Sequence, residues 1–117
     1  MEHGPAKNIA MNLLYDFYGQ LLTPRQRDIF ILYYHQDLSL GEIAEHLDIS
    51  RQGVHDLLRR GQKTLLDLEQ SLGLVAKYRR QRELVAQLAD RLDQLAQELK
   101  EPELAQIGQG LMELMEE

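Results

Sequence analysis

The chain has 117 residues, 44% of them hydrophobic and 27% charged, which is typical of one globular domain and excludes a disordered chain. It has no cysteine, which excludes disulfides and thiolate metal sites, and its net charge of −6 argues against a protein whose main work is non-specific nucleic-acid binding. No apolar run is long enough to cross a bilayer and no secretory leader is recognisable, so we expect a cytoplasmic protein.

Two helices are predicted in the first third of the chain. Apolar residues at helical spacing predict the first over residues 8–18. The second begins after Thr23, which has the spacing of a capping box with Gln26, and Pro24 takes the first helical position, where no N–H is needed. We expect this second helix to end near His35.

A helix-turn-helix is predicted next, and we expect the two preceding helices to pack behind it. Ser39 and Glu42 have the spacing of a second capping box, which starts a short helix. Asp48 occupies the turn because Asp tolerates a left-handed backbone, and Ser50 caps the following helix. The inward stripes of the two helices are Leu40, Ile43, Ala44 and Leu47, followed by Val54, Leu57 and Leu58.

The start of the second helix of this pair is the candidate binding face. Recognition helices reach base edges from these positions, and the stretch 51–63 carries four basic residues and one Asp. The alternative is a solvated face on a three-helix module that binds protein. We predict that nucleic acid or another partner is contacted by Ser50, Arg51, Gln52, His55, Arg59, Arg60 and Lys63.

The apolar stripe of this helix continues to about Leu72, beyond the candidate face. Gly61 interrupts it, and a close helix crossing is the expected reason. Gly73 then offers a helix end, and one long amphipathic helix is predicted over residues 74–100. Pro102 ends that helix and can begin a last one.

The long helix carries two parallel series of residues with a spacing of seven, the pattern of a coiled-coil seam. We infer that it packs back on the head or dimerises with a second copy. The predicted dimer seam is Tyr78, Val85, Leu88, Leu92, Leu95 and Leu99, with Leu74 and Gln81 extending the second series. A possible secondary basic patch for RNA or an acidic partner consists of Lys77, Arg79, Arg80 and Arg82, although a solvated face is the simpler interpretation.

No catalytic or metal-binding constellation is recognisable. The four histidines are scattered, and no two have the i, i+4 spacing of a helical metal pair. There is also no glycine loop that could hold a phosphate. We therefore expect neither enzymatic activity, nor a metal, nor a cofactor.

The run from Asn12 to Tyr78 resembles the YlxM family of small bacterial proteins, which are similar in turn to region 4 of sigma factors. The resemblance rests on LLYDFY, LLTPRQR, the adjacent Tyr33 and Tyr34, SLGEIAE and SRQGVHD. It implies a non-enzymatic accessory protein of the signal recognition particle, the complex of a GTPase and a small RNA that targets nascent membrane proteins.

The sequence thus predicts an all-α fold, with a helix-turn-helix head over residues 1–73 and a packing or dimerisation tail over residues 74–117, together one structural unit. The expected partners are the particle's GTPase or its RNA and a second copy of the chain. The alternative is a transcription regulator that reads duplex DNA with the helix from Arg51, and a sigma-like adaptor on RNA polymerase is a third hypothesis.

Overall fold

The structure is a computed structural model that describes the backbone of residues 9–116 and the side chains of residues 10–116. Within that range the chain is all-α, as predicted, with six α-helices and no strand. It divides into two compact units, the first ending at Val75 and the second beginning at Ala76. Residue 8, where we expected the first helix to begin, lies outside the described residues.

The first unit begins with α1 (Ile9–Tyr18), a 3₁₀ turn (Gly19–Leu21) and α2 (Pro24–Phe30). The predicted capping box of α2 is present. The Thr23 N–H donates to Gln26 Oε1 at 3.0 Å, and the Gln26 N–H donates to Thr23 Oγ1 at 3.2 Å. These bonds satisfy amides at the start of α2 that have no partner within the helix.

The end of the second helix differs from the expectation of a uniform helix. After α2 the backbone widens into a π-helical turn (Ile31–His35), which closes with the Gln36 N–H donating to the Ile31 carbonyl at 2.9 Å. A π turn fits one more residue into a turn than an α-helix does, so it changes the direction of every later side chain. Tyr33 lies in this turn and is buried, and its ring meets that of Tyr34 edge to face at 5.0 Å.

The predicted helix-turn-helix is formed by α3 (Leu40–Leu47) and α4 (Arg51–Leu72). The capping box of Ser39 and Glu42 is present at the start of α3. Asp48 adopts the left-handed conformation, with φ of 56°, as expected of the turn residue. Ser50 then caps α4 by accepting a hydrogen bond from the Gly53 N–H at 2.9 Å.

The predicted close crossing at Gly61 is confirmed. A Cβ atom built on Gly61 would lie 2.5 Å from Cε2 of Phe30, which is fully buried. Because Gly61 has no side chain, α4 can lie directly against the Phe30 ring of α2. Around this crossing, the core of the first unit consists of Leu14, Tyr18, Leu22, Ile29, Phe30, Leu32, Tyr33, Leu40, Ile43, Ala44, Val54, Leu58, Leu65 and Val75.

A polar network joins α1 to the junction after α4. Gly73 ends α4 in the left-handed conformation, with φ of 64°, and α5 (Leu74–Leu99) begins at once. The Tyr18 hydroxyl donates to Glu69 Oε1 at 2.6 Å and accepts from the Leu74 N–H at 3.1 Å. Glu69 Oε1 also accepts from the Val75 N–H at 3.0 Å, so side chains of the head cap the first turn of α5.

The second unit is an antiparallel hairpin of α5 and α6 (Pro102–Glu116). The Tyr78 hydroxyl donates to the Met115 carbonyl at 3.1 Å near one end of the hairpin. At its middle Gly108 is buried, and a Cβ there would lie 3.1 Å from the Ala89 Cα. Small residues thus let the two helices approach closely.

The hairpin corrects our expectation that only the head or a second copy could cover the stripe of α5. In the predicted seam, Tyr78, Val85 and Leu92 are half-buried, whereas Leu88 and Leu99 are exposed. A straight α-helix drifts by about 20° per heptad, so a series that faces α6 at Tyr78 has turned away from it by Leu99. The seven-residue pattern therefore describes two neighbouring stripes, only one of which α6 covers.

Candidate partner-binding face

The outer side of α4 carries the predicted binding residues. At 100° per residue, Arg59 points about 120° away from the mean direction of the buried Val54, Leu58 and Leu65, and the half-buried His55 lies about 80° away from it. Gln52, Lys63 and Leu66 continue the same stripe along the helix. The fold thus brings the predicted residues onto one side of a helix of 22 residues, or roughly 33 Å.

An open cleft of about 480 Å³ lies where α4 begins, lined by Leu40, Arg51, Gln52 and His55. Arg51 and Gln52 are exposed, and His55 is half-buried. The His55 Nδ1 atom is buried and has no hydrogen-bond partner among the described residues, since the Asp56 carboxylate oxygen is 3.9 Å away. His55 Nδ1 is therefore a buried polar atom beside the cleft that lacks a hydrogen-bond partner in the described part of the chain.

Several of the predicted contact groups already have partners within α4. The Ser50 hydroxyl is occupied by its cap bond to the Gly53 N–H. The Gln52 amide donates to Asp56 Oδ1 at 3.0 Å, and Lys63 Nζ lies 2.8 Å from Asp67 Oδ2. A partner would have to replace the last two of these bonds, both of which are exposed and so cost little to break.

Arg59 and Arg60 differ from these residues because, among the described residues, neither has a carboxylate partner. Both are exposed, and they line a second open cleft of about 470 Å³ with Gln62, Lys63, Leu66 and Asp67. Leu66 is 52% exposed there, beside the cations. The second cleft therefore combines two unpaired guanidinium groups with an apolar surface.

The outer face of α4 also carries two carboxylates, of which Asp56 is the one Asp of the stretch 51–63 and Asp67 lies beyond that stretch. With them, residues 51–67 carry four basic and two acidic side chains, a net charge of +2. The i, i+4 spacing of Gln52 to Asp56 and of Lys63 to Asp67 could have shown both pairs, because side chains four residues apart meet on a helix. The face is therefore less basic than the stretch 51–63 suggested.

The back of this part of α4 is fixed by Tyr34 of the π turn. The Gln62 amide donates to the Tyr34 hydroxyl at 2.7 Å, and the Tyr34 ring lies 5.2 Å from that of Phe30. Burial raises the pKa of Tyr34 above its ordinary value of 10.0. Arg59 and Arg60 are thus held on a helix whose inner side is anchored by an aromatic cluster.

The secondary basic patch lies in the second unit, on α5. Arg82 is paired with Glu116 of α6 at 2.9 Å, whereas Lys77, Arg79 and Arg80 are exposed. Arg82 is exposed as well, so all four predicted cations are accessible and one of them has an acidic partner on α6.

Among residues 9–116 no group of three His, Asp or Glu side chains is arranged to hold a metal ion. In the same part of the chain, every helix is too short or too polar to cross a membrane.

Comparison with known proteins places this arrangement in a family. Residues 6–105 match the family of helix-turn-helix proteins described as YlxM/p13-like, also named UPF0122. The chain belongs to the YlxM/p13-like family. This finding confirms the resemblance to the YlxM family seen in the sequence, and the helix-turn-helix of this chain is the pair α3 and α4.

Relatives of similar length cover most of the chain. A UPF0122 protein of Thermoanaerobacter sp. (strain X514) is 43% identical over 109 residues, which are 93% of this chain and 93% of the relative. One from Geobacillus kaustophilus is 51% identical over 84 residues, 72% of this chain and 76% of the relative. One from Acetivibrio thermocellus is 60% identical over 70 residues, 60% of each.

Proposed function

We propose that this protein is a non-enzymatic regulatory component of the bacterial signal recognition particle pathway, and that its head binds the particle's RNA or its GTPase through the outer face of α4. The observation that carries this proposal is the second cleft, where Arg59 and Arg60 are exposed and unpaired beside Leu66. The choice of the particle as partner rests on membership of the YlxM/p13-like family.

The charge of the chain favours a limited and specific contact over general nucleic-acid binding. The whole chain carries −6, whereas residues 51–67 carry +2. A protein that neutralises many phosphates needs a wide basic surface, and a net charge of −6 argues against one. A small basic face with an adjacent leucine suits a structured RNA or an acidic protein surface, where a few charges and one apolar contact determine the fit.

A DNA-binding transcription regulator is the second candidate, and the start of α4 favours it. Arg51 and Gln52 are exposed at the N-terminal end of the second helix of a helix-turn-helix, the place from which such helices read base edges. However, Gln52 is bonded to Asp56, and the negative charge of Asp56 would lie close to the duplex. Reading of adenine by Gln52 would first require loss of that bond.

The first experiment is affinity capture of the tagged full chain from a lysate of its own organism after DNase treatment, with identification of the bound protein and RNA. Co-purification of the targeting GTPase with its small RNA supports the proposal. RNase treatment before capture then separates the two contacts, because an RNA contact is lost and a protein contact survives. Recovery of RNA polymerase without the particle would support the sigma-like adaptor and overturn the proposal.

The α4 face is tested with purified components and two matched double variants. Arg59→Gln with Arg60→Gln removes the unpaired cations, and Arg25→Gln with Arg91→Gln makes the same change of net charge at exposed positions outside α4. We expect the first pair to lose binding to the particle and the second pair to keep it. Equal loss in both would show that only net charge matters and would refute the assignment of this face.

Binding of a defined duplex DNA by the same proteins distinguishes the second candidate. Sequence-specific binding that Arg51→Ala weakens, with specificity relaxed at one base, would favour the transcription regulator. Loss of two phosphate contacts in the Arg59 and Arg60 variant would also lower the slope of log affinity against log salt by about 2. The proposal instead predicts weak duplex binding without preference for sequence.

A further inference from the structure

The hairpin of the second unit has a continuous apolar face that α5 and α6 do not cover. Five of its six large side chains are between 55% and 66% exposed in the structure, and the sixth, Leu95, is half-buried. On α5 they are spaced by four, seven and four residues if the half-buried Leu95 is included, and on α6 by seven. The members of this apolar face are Leu84, Leu88, Leu95 and Leu99 of α5 and Ile107 and Leu114 of α6.

These six side chains lie on the same side of the hairpin. Ala89 and Gly108 face each other across it. Leu88 and Ile107 are each one residue earlier, and one step back turns each helix by about 100°. Because the two helices are antiparallel, this rotation carries both side chains to the same side of the hairpin. Leu95 and Leu114 follow seven residues later on their helices, so they lie on that side as well.

The spacing on α5 is that of a helix packed between two neighbours. One stripe, from Tyr78 through Ala89 to Ala96, faces α6. The adjacent stripe, from Leu84 to Leu99, has the steps of an a/d seam but meets no helix of the hairpin. Such a helix is typical of a four-helix bundle, in which a second hairpin would supply the missing neighbours.

The charges at the two ends of the hairpin indicate which protein supplies the second hairpin. Among the described residues, the end of the hairpin where α5 starts and α6 finishes carries a net charge of +1, whereas the turn, residues 98–103, carries −2. The charged residues of the first end are Lys77, Arg79, Arg80, Arg82, Glu83, Glu113 and Glu116, and those of the turn are Glu98, Lys100, Glu101 and Glu103. A second copy in antiparallel orientation would place the basic end of each hairpin beside the acidic end of the other. A parallel pair would place like charges together, which is unfavourable.

We propose that the protein forms a homodimer in which the apolar faces of two hairpins pack antiparallel into a four-helix bundle. A two-fold axis makes the interface self-complementary, because each copy contributes the same stripe and the same pair of charged ends. The proposal changes the seam expected from the sequence, since Tyr78, Val85 and Leu92 face α6 and are replaced by Leu84, Ile107 and Leu114. It does not depend on which partner the head binds.

Sedimentation equilibrium of the full chain over a range of micromolar concentrations tests the association. We expect a dimer for the unchanged chain and a monomer for Leu88→Gln with Ile107→Gln, and Leu21→Gln with Leu66→Gln serves as a control at equally exposed positions elsewhere. Circular dichroism checks that each variant keeps its helices. A monomeric unchanged chain, a dimer that survives Leu88→Gln with Ile107→Gln, or equal loss in the control would each overturn the proposal.

Cysteine cross-linking tests the orientation without disturbing the apolar face, because the chain has no cysteine of its own. Arg80→Cys and Glu98→Cys proteins are oxidised separately and as a mixture. The antiparallel bundle predicts a disulfide between the two variants in the mixture and little dimer from either alone. Efficient self-cross-linking of Arg80→Cys would show a parallel arrangement and overturn the charge argument.

Discussion

Gly61 allows a direct test of how α4 is held against the aromatic core. In an exposed helix interior, Gly→Ala stabilises by about 1 kcal/mol because alanine loses less backbone freedom on folding. At Gly61 the added Cβ would lie 2.5 Å from Cε2 of Phe30, far inside contact distance. The Phe30 ring is 1% exposed and stacks on Tyr15 at 5.7 Å, so it has little room to move.

The expected size of the effect follows from these two opposing contributions. Insertion of a methyl group into a packed core costs roughly 1 to 3 kcal/mol. After subtraction of the gain from helix propensity, Gly61→Ala should leave the first unit destabilised by up to about 2 kcal/mol. Gly110→Ala is the matched control, because a Cβ at Gly110 has nothing within 4 Å, and it should stabilise the hairpin by about 1 kcal/mol.

Urea unfolding measures both variants. Circular dichroism follows the helices of the whole chain, and tyrosine fluorescence follows mainly the first unit, which contains four of the five tyrosines. With m-values of roughly 1 to 3 kcal/mol per molar urea, a difference of this size is readily resolved as a change of midpoint. An increase in stability on Gly61→Ala as large as that on Gly110→Ala would refute the argument that Gly61 is required by the ring of Phe30.

Three further predictions concern the cap of α4, the buried phenols and the acidic residues of the face. Ser50→Ala removes the hydrogen bond to the first turn of α4 and should cost about 1 kcal/mol of unfolding free energy, measured by urea denaturation; an unchanged midpoint would contradict this. Burial raises the pKa of Tyr18 and of Tyr34, so the neutral phenols should stabilise the fold up to about pH 10 and this stability should fall at higher pH. A tyrosinate absorbance titration should show late ionisation that decreases in Tyr34→Phe, and normal ionisation of all tyrosines would contradict it. Asp56→Asn with Asp67→Asn raises the charge of residues 51–67 from +2 to +4 and should strengthen particle binding in the purified assay, whereas weaker binding would show that these carboxylates contact the partner.

The sequence was sufficient to predict those features that depend on a few neighbouring residues. The capping boxes at Thr23 and Ser39 and the left-handed turn at Asp48 involve bonds within about four residues, and all three are present. The close crossing at Gly61 was also predictable, because an interior glycine in a stable helix requires a packing reason.

Features that depend on distant segments could not be predicted in the same way. The π turn after Phe30 has no local marker, and its residues have the spacing of an ordinary helix. The pairing of α5 with α6 depends on Ala89 meeting Gly108 across 19 positions of the chain, which no local spacing indicates. The predicted residues of the candidate face do lie on the outer side of α4, but the charge of that face was overestimated because Asp67, beyond the stretch 51–63, lies on the same side of the helix.

The polar network at Glu69 has a practical consequence for dividing the chain. A fragment that ended at Leu72 would contain every residue of the helix-turn-helix, yet it would lack the amide donors of Leu74 and Val75. The carboxylate of Glu69 would then lose the bond from the Val75 N–H, and the core would lose the side chain of Val75. The shortest head that keeps its own interior intact therefore includes the first turn of the following helix.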